Sequence, residues 1–210
     1  MSEWTLVIGD KNYSSWSLRP WLVLKHLGVP FAEETVRLRQ ADTKAEILKR
    51  SPSGKVPLLR HGSVVVWESL AICEYLAEIF TEAALWPRDR EARALARAVS
   101  HEMHAGFVPL RQNLPMDVRA RLSAPAMTPE LASDIARITA LWNQCRKAYG
   151  TGGPFLFGPF TIADAMFAPV TTRFVTYGIS LDPVSAEYVK AVTALPAMVD
   201  WAAAAEPSSP

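Results

Sequence analysis

The sequence predicts an α/β unit followed by an all-helical one, and three observations carry that prediction. Short β-like runs alternate with helical periodicity as far as Phe80. Beyond Thr81 the strand signals vanish, while Ala and Arg become frequent. Between the two regimes, Leu85-Trp86-Pro87-Arg88-Asp89 has the punctuation of a linker. A length of 210 residues at roughly 150 per domain gives about 1.4, so local signals decide between one large domain and two small ones. They place an α/β domain at 1–82, a linker at 83–88 and a helical domain at 89–210.

Trp4-Thr5-Leu6-Val7-Ile8, closed by Gly9-Asp10, reads as a buried strand. From Ser17 onward, Leu18, Trp21, Leu22, Leu24 and Leu27 form a helical pattern that Gly28 and Pro30 stop. Phe31 to Leu38 follows as a second strand. That order over about 38 residues predicts a parallel pair joined by a right-handed crossover. Thr43-Lys44-Ala45-Glu46 has the spacing of a capping box and opens a short helix that stops near Ser51-Pro52-Ser53-Gly54. Val56–Leu59 and Val64–Trp67 flank Arg60-His61-Gly62-Ser63 as a hairpin. The helix from Ser69 to Phe80 is polar only at Ser69, Glu74 and Glu78, which implies a second packing partner.

In the second unit, Leu131, Ile135, Ile138, Trp142, Cys145 and Tyr149 recur at helical steps as a core stripe. Thr161-Ile162-Ala163-Asp164 is a capping-box variant, its fourth position a short carboxylate, and opens a helix to about Thr176. Pro109, Pro115, Pro125 and Pro129 predict a long irregular segment. Pro207-Ser208-Ser209-Pro210 reads as a frayed end.

Composition narrows the function. Half the residues are hydrophobic and a fifth charged, which excludes disorder and collagen-like repeats. A net charge of +1 is too small a bias to attract nucleic acid or an anionic membrane, so a small molecule or a protein is the expected partner. Cys73 and Cys145 stand far apart in helical stretches, pointing to a reducing compartment without disulfides. No apolar run approaches the ~18 residues of a membrane span, and the start lacks a basic leader, so the location reads as cytoplasmic.

Three places suit chemistry. In Asn12-Tyr13-Ser14-Ser15-Trp16-Ser17, hydroxyls meet the unpaired amides of a helix start, a setting that caps a helix or holds an anion such as a thiolate. Lys55-Val56-Pro57-Leu58 either begins a strand or, with a cis bond, turns the Val56 amide and carbonyl toward an extended ligand. At Trp67-Glu68-Ser69, Ser69 and the amides behind it suit a carboxylate and Glu68 an ammonium, unless the pair is a plain cap and a surface acid.

In this order, Ser14-Ser15-Trp16-Ser17-x-Arg19, Ser51-Pro52-x-Gly54-Lys55-Val56-Pro57, Glu68-Ser69-x-Ala71-Ile72-x-x-Tyr75-Leu76 and Thr161-Ile162-Ala163-Asp164 resemble the glutathione transferase family. The serine cluster is most similar to the zeta class, with Trp16 where that class has cysteine. The resemblance implies a thioredoxin-like N-terminal domain, an all-helical C-terminal domain and a homodimer. It implies glutathione as co-substrate and no metal. Ser14 would donate to the glutathione sulfur, with Ser15 and Ser17 as nearby alternatives. Val56 before a cis-Pro57 would pair with the cysteinyl backbone, Glu68 and Ser69 would hold the γ-glutamyl end, and Lys55 or Gln40 the glycine carboxylate.

The implied activity is attack of the thiolate on a small hydrophobic electrophile, a detoxification chemistry. The alternatives are a zeta-like cis–trans isomerisation of the maleylacetoacetate isomerase type, or a non-enzymatic binding module. Trp16 with His104, Phe107 and Arg111 would line the electrophile pocket, the last three sharing one helical face by their steps of 3 and 4. The opposing reading packs Phe107 in the core and leaves Arg111 solvated or paired. His101-Glu102-Met103-His104 lacks the spacing of a zinc helix. Arg90, Arg93 and Arg97 form a basic stripe on a solvated or subunit-facing surface.

Overall fold

The computed structural model describes residues 3–206; the segment Pro207–Pro210, expected to fray, lies outside them. Strand β1 (Trp4–Gly9) leads into helix α1 (Ser15–Leu27), β2 (Ala32–Val36), α2 (Thr43–Leu48), β3 (Leu58–His61), β4 (Val64–Trp67) and α3 (Ser69–Ile79). The strands form one mixed sheet in the order β2-β1-β3-β4, with β1 parallel to β2 and antiparallel to β3, and β4 antiparallel to β3. This is the thioredoxin-like arrangement the resemblance implies. A short 3-10 turn at Thr81–Ala83 precedes six helices: α4 (Arg90–Ala105), α5 (Val108–Asn113), α6 (Pro129–Tyr149), α7 (Ile162–Thr176), α8 (Pro183–Thr193) and α9 (Pro196–Ala203).

Alternation along β1 sends Leu6 and Ile8 into the main core with α1 and α3, and Val7 to the opposite face, against Val36, Ile47 and Leu58. Both faces are covered, which is why this strand reads as an unbroken apolar run. Helix α1 ends at Gly28, whose φ of 67° is open to glycine without strain. The main core continues from α1 into α7, buried along nearly its whole length, so the two halves share one apolar interior. Trp142 of α6 lies at its centre, edge-on to Phe167, Phe174 and Tyr188 at 5.7, 5.6 and 4.8 Å, contacts worth about 0.5–1.5 kcal/mol each beyond area burial.

Two cap readings separate here. At α7 the box forms: Asp164 accepts from the Thr161 N–H at 2.8 Å, the Thr161 hydroxyl, the Leu156 N–H and the Tyr188 hydroxyl. At α2 it does not. Thr43 lies inside the helix and spends its hydroxyl on the Arg37 carbonyl and the Gln40 amide, while Glu46 is taken by Lys49 and Arg50.

The proline-rich stretch is also less irregular than expected. Pro109 sits in the first turn of α5, where its missing N–H costs nothing, and only residues 114–128 lack regular structure. The apolar surface of α3 is largely absorbed within the chain. Leu70, Ile72, Cys73 and Leu76 enter the core, and Tyr75 bonds His61 at 2.8 Å. Ile79 at the end of α3 stays exposed, as do Val64, Val65 and Trp67 on edge strand β4.

Candidate active site

The loop after β1 is held from two sides, which fixes where its hydroxyls point. Asp10 accepts from the amides of Tyr13 and Ser14. Asn12 donates to Asp117 at 2.9 Å and accepts the Arg119 and Val118 amides, tying the loop to the 114–128 segment. Helix α1 starts two residues earlier than the apolar pattern predicts, with Ser14 as its cap. The Ser14 hydroxyl donates to Ser17 Oγ at 2.7 Å, and Ser17 Oγ also accepts the Gly9 N–H at 3.1 Å. Ser17 is fully enclosed and fastens the helix start to β1. Ser15 is buried, and its hydroxyl bonds to nothing among the described residues.

Beside this loop lies a cleft of about 480 Å³ lined by Lys55, Val56, Pro57, Glu68 and Ser69 together with Trp16 and His104. Ser53 and Trp67 complete the lining and were missed by sequence reasoning, because a serine in a turn and a strand-ending tryptophan carry no chemical pattern of their own. The Val56–Pro57 bond is cis. The Val56 amide and carbonyl have no backbone partner among the described residues, so this short edge has a free donor and acceptor beside the cleft.

Glu68 has φ 78° and ψ 131°, a conformation that costs a non-glycine residue about 1–3 kcal/mol and collects at functional sites. Its carboxylate caps α3, accepting the Leu70 and Ala71 amides at 3.1 and 3.2 Å and the Ser69 hydroxyl at 2.9 Å. The expectation that Ser69 and open amides await a carboxylate is corrected: Glu68 occupies those amides.

His104 brings the helical half to the cleft. Its Nδ1 lies 3.4 Å from Glu68 Oε1, and its ring meets Trp16 edge-on at 5.2 Å. Burial lowers the His104 pKa; Glu68 pulls the other way, and Arg19 and Arg111 reinforce the lowering. Burial also lowers His26. A depressed histidine binds fewer protons folded than unfolded, so its contribution to stability is lost as pH falls below about 6.5. Denaturant unfolding at falling pH should therefore show an acid-side loss that His26→Gln and His104→Gln each reduce; Asp164, with its pKa raised to about 6 by burial, has the opposite slope in the carboxylate range.

His104, Phe107 and Arg111 do not share a helical face. Helix α4 ends at Ala105, and Phe107, at φ 60°, turns the chain into α5. Phe107 packs in the core, and Arg111 folds back onto the carbonyls of Met103, His104 and Gly106, where a cation suits a helix end. Gln40 bonds to its own loop and does not line the cleft. Cys73 and Cys145 are buried and unpaired, with burial pushing the first thiol far up and the second up to about 12.

Two family models match the chain: Glutathione S-transferase, N-terminal domain, over residues 13–79, and Glutathione S-transferase, C-terminal domain, over 117–204. The chain belongs to the glutathione S-transferase family. Among its relatives, this transferase is 38% identical over 177 residues to a probable maleylacetoacetate isomerase of Caenorhabditis elegans, covering 82% of this chain and 79% of that one. It is 25% identical over 214 residues to Glutathione S-transferase Z2 of Arabidopsis thaliana, covering 95% and 93%. A glutathione transferase homolog from Burkholderia gl BGR1, solved with bound glutathione, superposes with a TM-score of 0.71 at 27% identity, covering 94% of this chain and 95% of its own. The match to the N-terminal family model spans the serine loop, the cis-proline turn and the start of α3, the same three segments that surround the cleft of this transferase.

Proposed function

We propose that this transferase holds glutathione as an added strand on Val56, with Lys55 near the glycine carboxylate and Glu68 at the γ-glutamyl end, and sets the sulfur at the start of α1. The carrying observation is that Lys55, Val56, Pro57, Glu68 and Ser69, dispersed in sequence, line one cleft with Trp16. A free thiol near pKa ~8.5 is mostly protonated at neutral pH, and a positioned hydroxyl with the helix dipole raises the thiolate fraction. Ser14 spends its proton on Ser17 Oγ and Ser17 is fully enclosed, while the Ser15 hydroxyl has no partner among the described residues, which favours Ser15 over Ser14 and Ser17 as the sulfur's donor. The thiolate then attacks a small electrophile whose apolar body lies on Trp16 and beside His104.

Mixing glutathione with the protein should generate thiolate ultraviolet absorbance, and 1-chloro-2,4-dinitrobenzene should then be conjugated with loss of chloride. No thiolate signal at saturating glutathione would refute the reading. Lys55→Ala should raise the glutathione KM about fivefold to tenfold with little change in kcat, as expected for one exposed charge at a ligand's rim.

The likeness to a probable maleylacetoacetate isomerase supports a second reading, in which the same thiolate adds to a carbon–carbon double bond, allows rotation and is expelled. Turnover of a cis-alkene without consumption of glutathione would select it. The apolar residues left exposed at Val64, Val65 and Trp67 of β4 and at Ile79 of α3 support a homodimer that covers them. Two buried, unpaired thiols fit a cytoplasmic location.

A further inference from the structure

Of the titratable side chains that line the cleft, Lys55 and Glu68 have a place in the binding of glutathione, and His104 has none. An imidazole, with an ordinary pKa of about 6.5, is also the group that both takes and gives a proton near neutrality. The ring of His104 is fixed from three elements. Trp16 of α1 meets it edge-on at 5.2 Å, Arg111 of α5 donates to its backbone carbonyl at 3.3 Å, and Glu68 lies beside it at the start of α3.

The two ring nitrogens have opposite surroundings. Nδ1 is enclosed by protein without a hydrogen bond, and the carboxylate oxygen Glu68 Oε1 stands 3.4 Å from it. Nε2 is not enclosed and has no protein partner among the described residues, on a side chain 32% exposed that lines the cleft. An ionised carboxylate only accepts, so Glu68 places the N–H on Nδ1 and leaves the lone pair of Nε2 open. A separation of 3.4 Å is longer than a hydrogen bond, as catalytic pairs commonly are before a substrate closes on them. Burial, with Arg19, Arg111 and the neighbouring His101, lowers the His104 pKa against the pull of Glu68, so the ring rests neutral at neutral pH. When protonated, such a ring is a stronger acid than free imidazolium.

Displacement of a halide by a thiolate needs no proton at carbon, whereas addition to a double bond conjugated with a carbonyl does. We propose that His104 is a catalytic acid–base residue for addition of glutathione to α,β-unsaturated carbonyl compounds, Nε2 delivering the proton to the carbon beside the carbonyl. This rests on the glutathione reading of the cleft. The thiol gives its proton to solvent, and Nε2 takes one up from solvent. The thiolate then bonds to the β-carbon, and the π pair moves onto the α-carbon and carbonyl oxygen as an enolate. The imidazolium proton passes from Nε2 to the α-carbon, which leaves His104 neutral and yields a saturated thioether with no net redox change. In reverse, neutral Nε2 removes the α-proton as the thiolate departs.

The test compares two electrophiles on the full-length protein at saturating glutathione, after subtraction of the uncatalysed rates. 1-Chloro-2,4-dinitrobenzene reports substitution, and trans-4-phenyl-3-buten-2-one reports addition. His104→Asn should lower addition at least about tenfold further than substitution, within the usual range for one acid–base group. In deuterium oxide the wild type should place deuterium on one face of the α-carbon, read by nuclear magnetic resonance of the adduct, and His104→Asn on both faces alike. Glu68→Ala should also lose face selectivity, because the ring is then no longer oriented. Circular dichroism verifies folding, and His104→Gln carries the comparison should His104→Asn not fold. Equal losses of addition and substitution, selectivity retained in the folded variants, or an unselective wild type would overturn the proposal. The thiolate absorbance of bound glutathione is read separately: thiolate without addition counts against the proton transfer alone, and absence of thiolate counts against the glutathione reading and the proposal with it.

Discussion

Replacing Ser15 by alanine is expected to lower conjugation turnover roughly 100-fold while changing glutathione affinity only a few-fold. Removing a single aimed donor from a developing or resident anion typically costs that much, because the interaction is spent on charge rather than on holding the ligand. The thiol of bound glutathione should then titrate near its free value of ~8.5, visible as the pH dependence of thiolate absorbance. Ser14→Ala gives the contrasting result. It removes the cap of α1 and a bond to Ser17, lowering stability by about 1 kcal/mol while leaving the thiol's titration close to that of the wild type. A collapsed thiolate signal in Ser14→Ala with Ser15→Ala near normal would return the donor's role to Ser14.

Asp164→Ala is expected to cost about 4 kcal/mol of folding stability, or about 8–16 °C in melting temperature for a chain of this size. The carboxylate is fully buried and gathers four donors: the Leu156 and Thr161 amides and the hydroxyls of Thr161 and Tyr188. Alanine removes the acceptor and leaves those donors enclosed, which is costlier than never having built the network. Asp164→Asn, which keeps one acceptor oxygen, should lose about half as much. A melting temperature within about 2 °C of wild type for Asp164→Ala would show that the network carries little of the stability.

The same residue shows how much was legible in the sequence. Thr161 and Asp164 stand at the spacing at which a short carboxylate reaches the first amide of a helix, so the cap was predictable; Leu156 and Tyr188, from a loop and from α8, were not. Thr43 and Glu46 have an equally good spacing, yet that box fails, since Arg37, Lys49 and Arg50 offer those side chains better partners. A local motif states what a side chain is able to do, and its neighbours in space determine which option it takes.

Likewise for the cleft. Val56, Pro57, Glu68 and Ser69 were found from short motifs, but those motifs do not reveal that Glu68 takes the amides assigned to Ser69. The stepping of His104, Phe107 and Arg111 assumed a continuous helix, and Gly106 and the left-handed turn at Phe107 end it. Arg111 in the short helix α5 and Arg173 in the Ala- and Thr-rich α7 carry no sign of burial in the sequence, where an arginine ordinarily reads as solvated.

Periodicity, caps and punctuation act over a few residues and were sufficient for the order of strands and helices, the two-part architecture and the three segments around the cleft. Which of the serines 14, 15 and 17 keeps its proton available depends on how the loop folds against β1, and the burial of Arg19 and Arg173 depends on carbonyls about 60 to 150 positions away. Hydrogen-bond satisfaction and desolvation are properties of the packed chain, so only the folded structure could decide them.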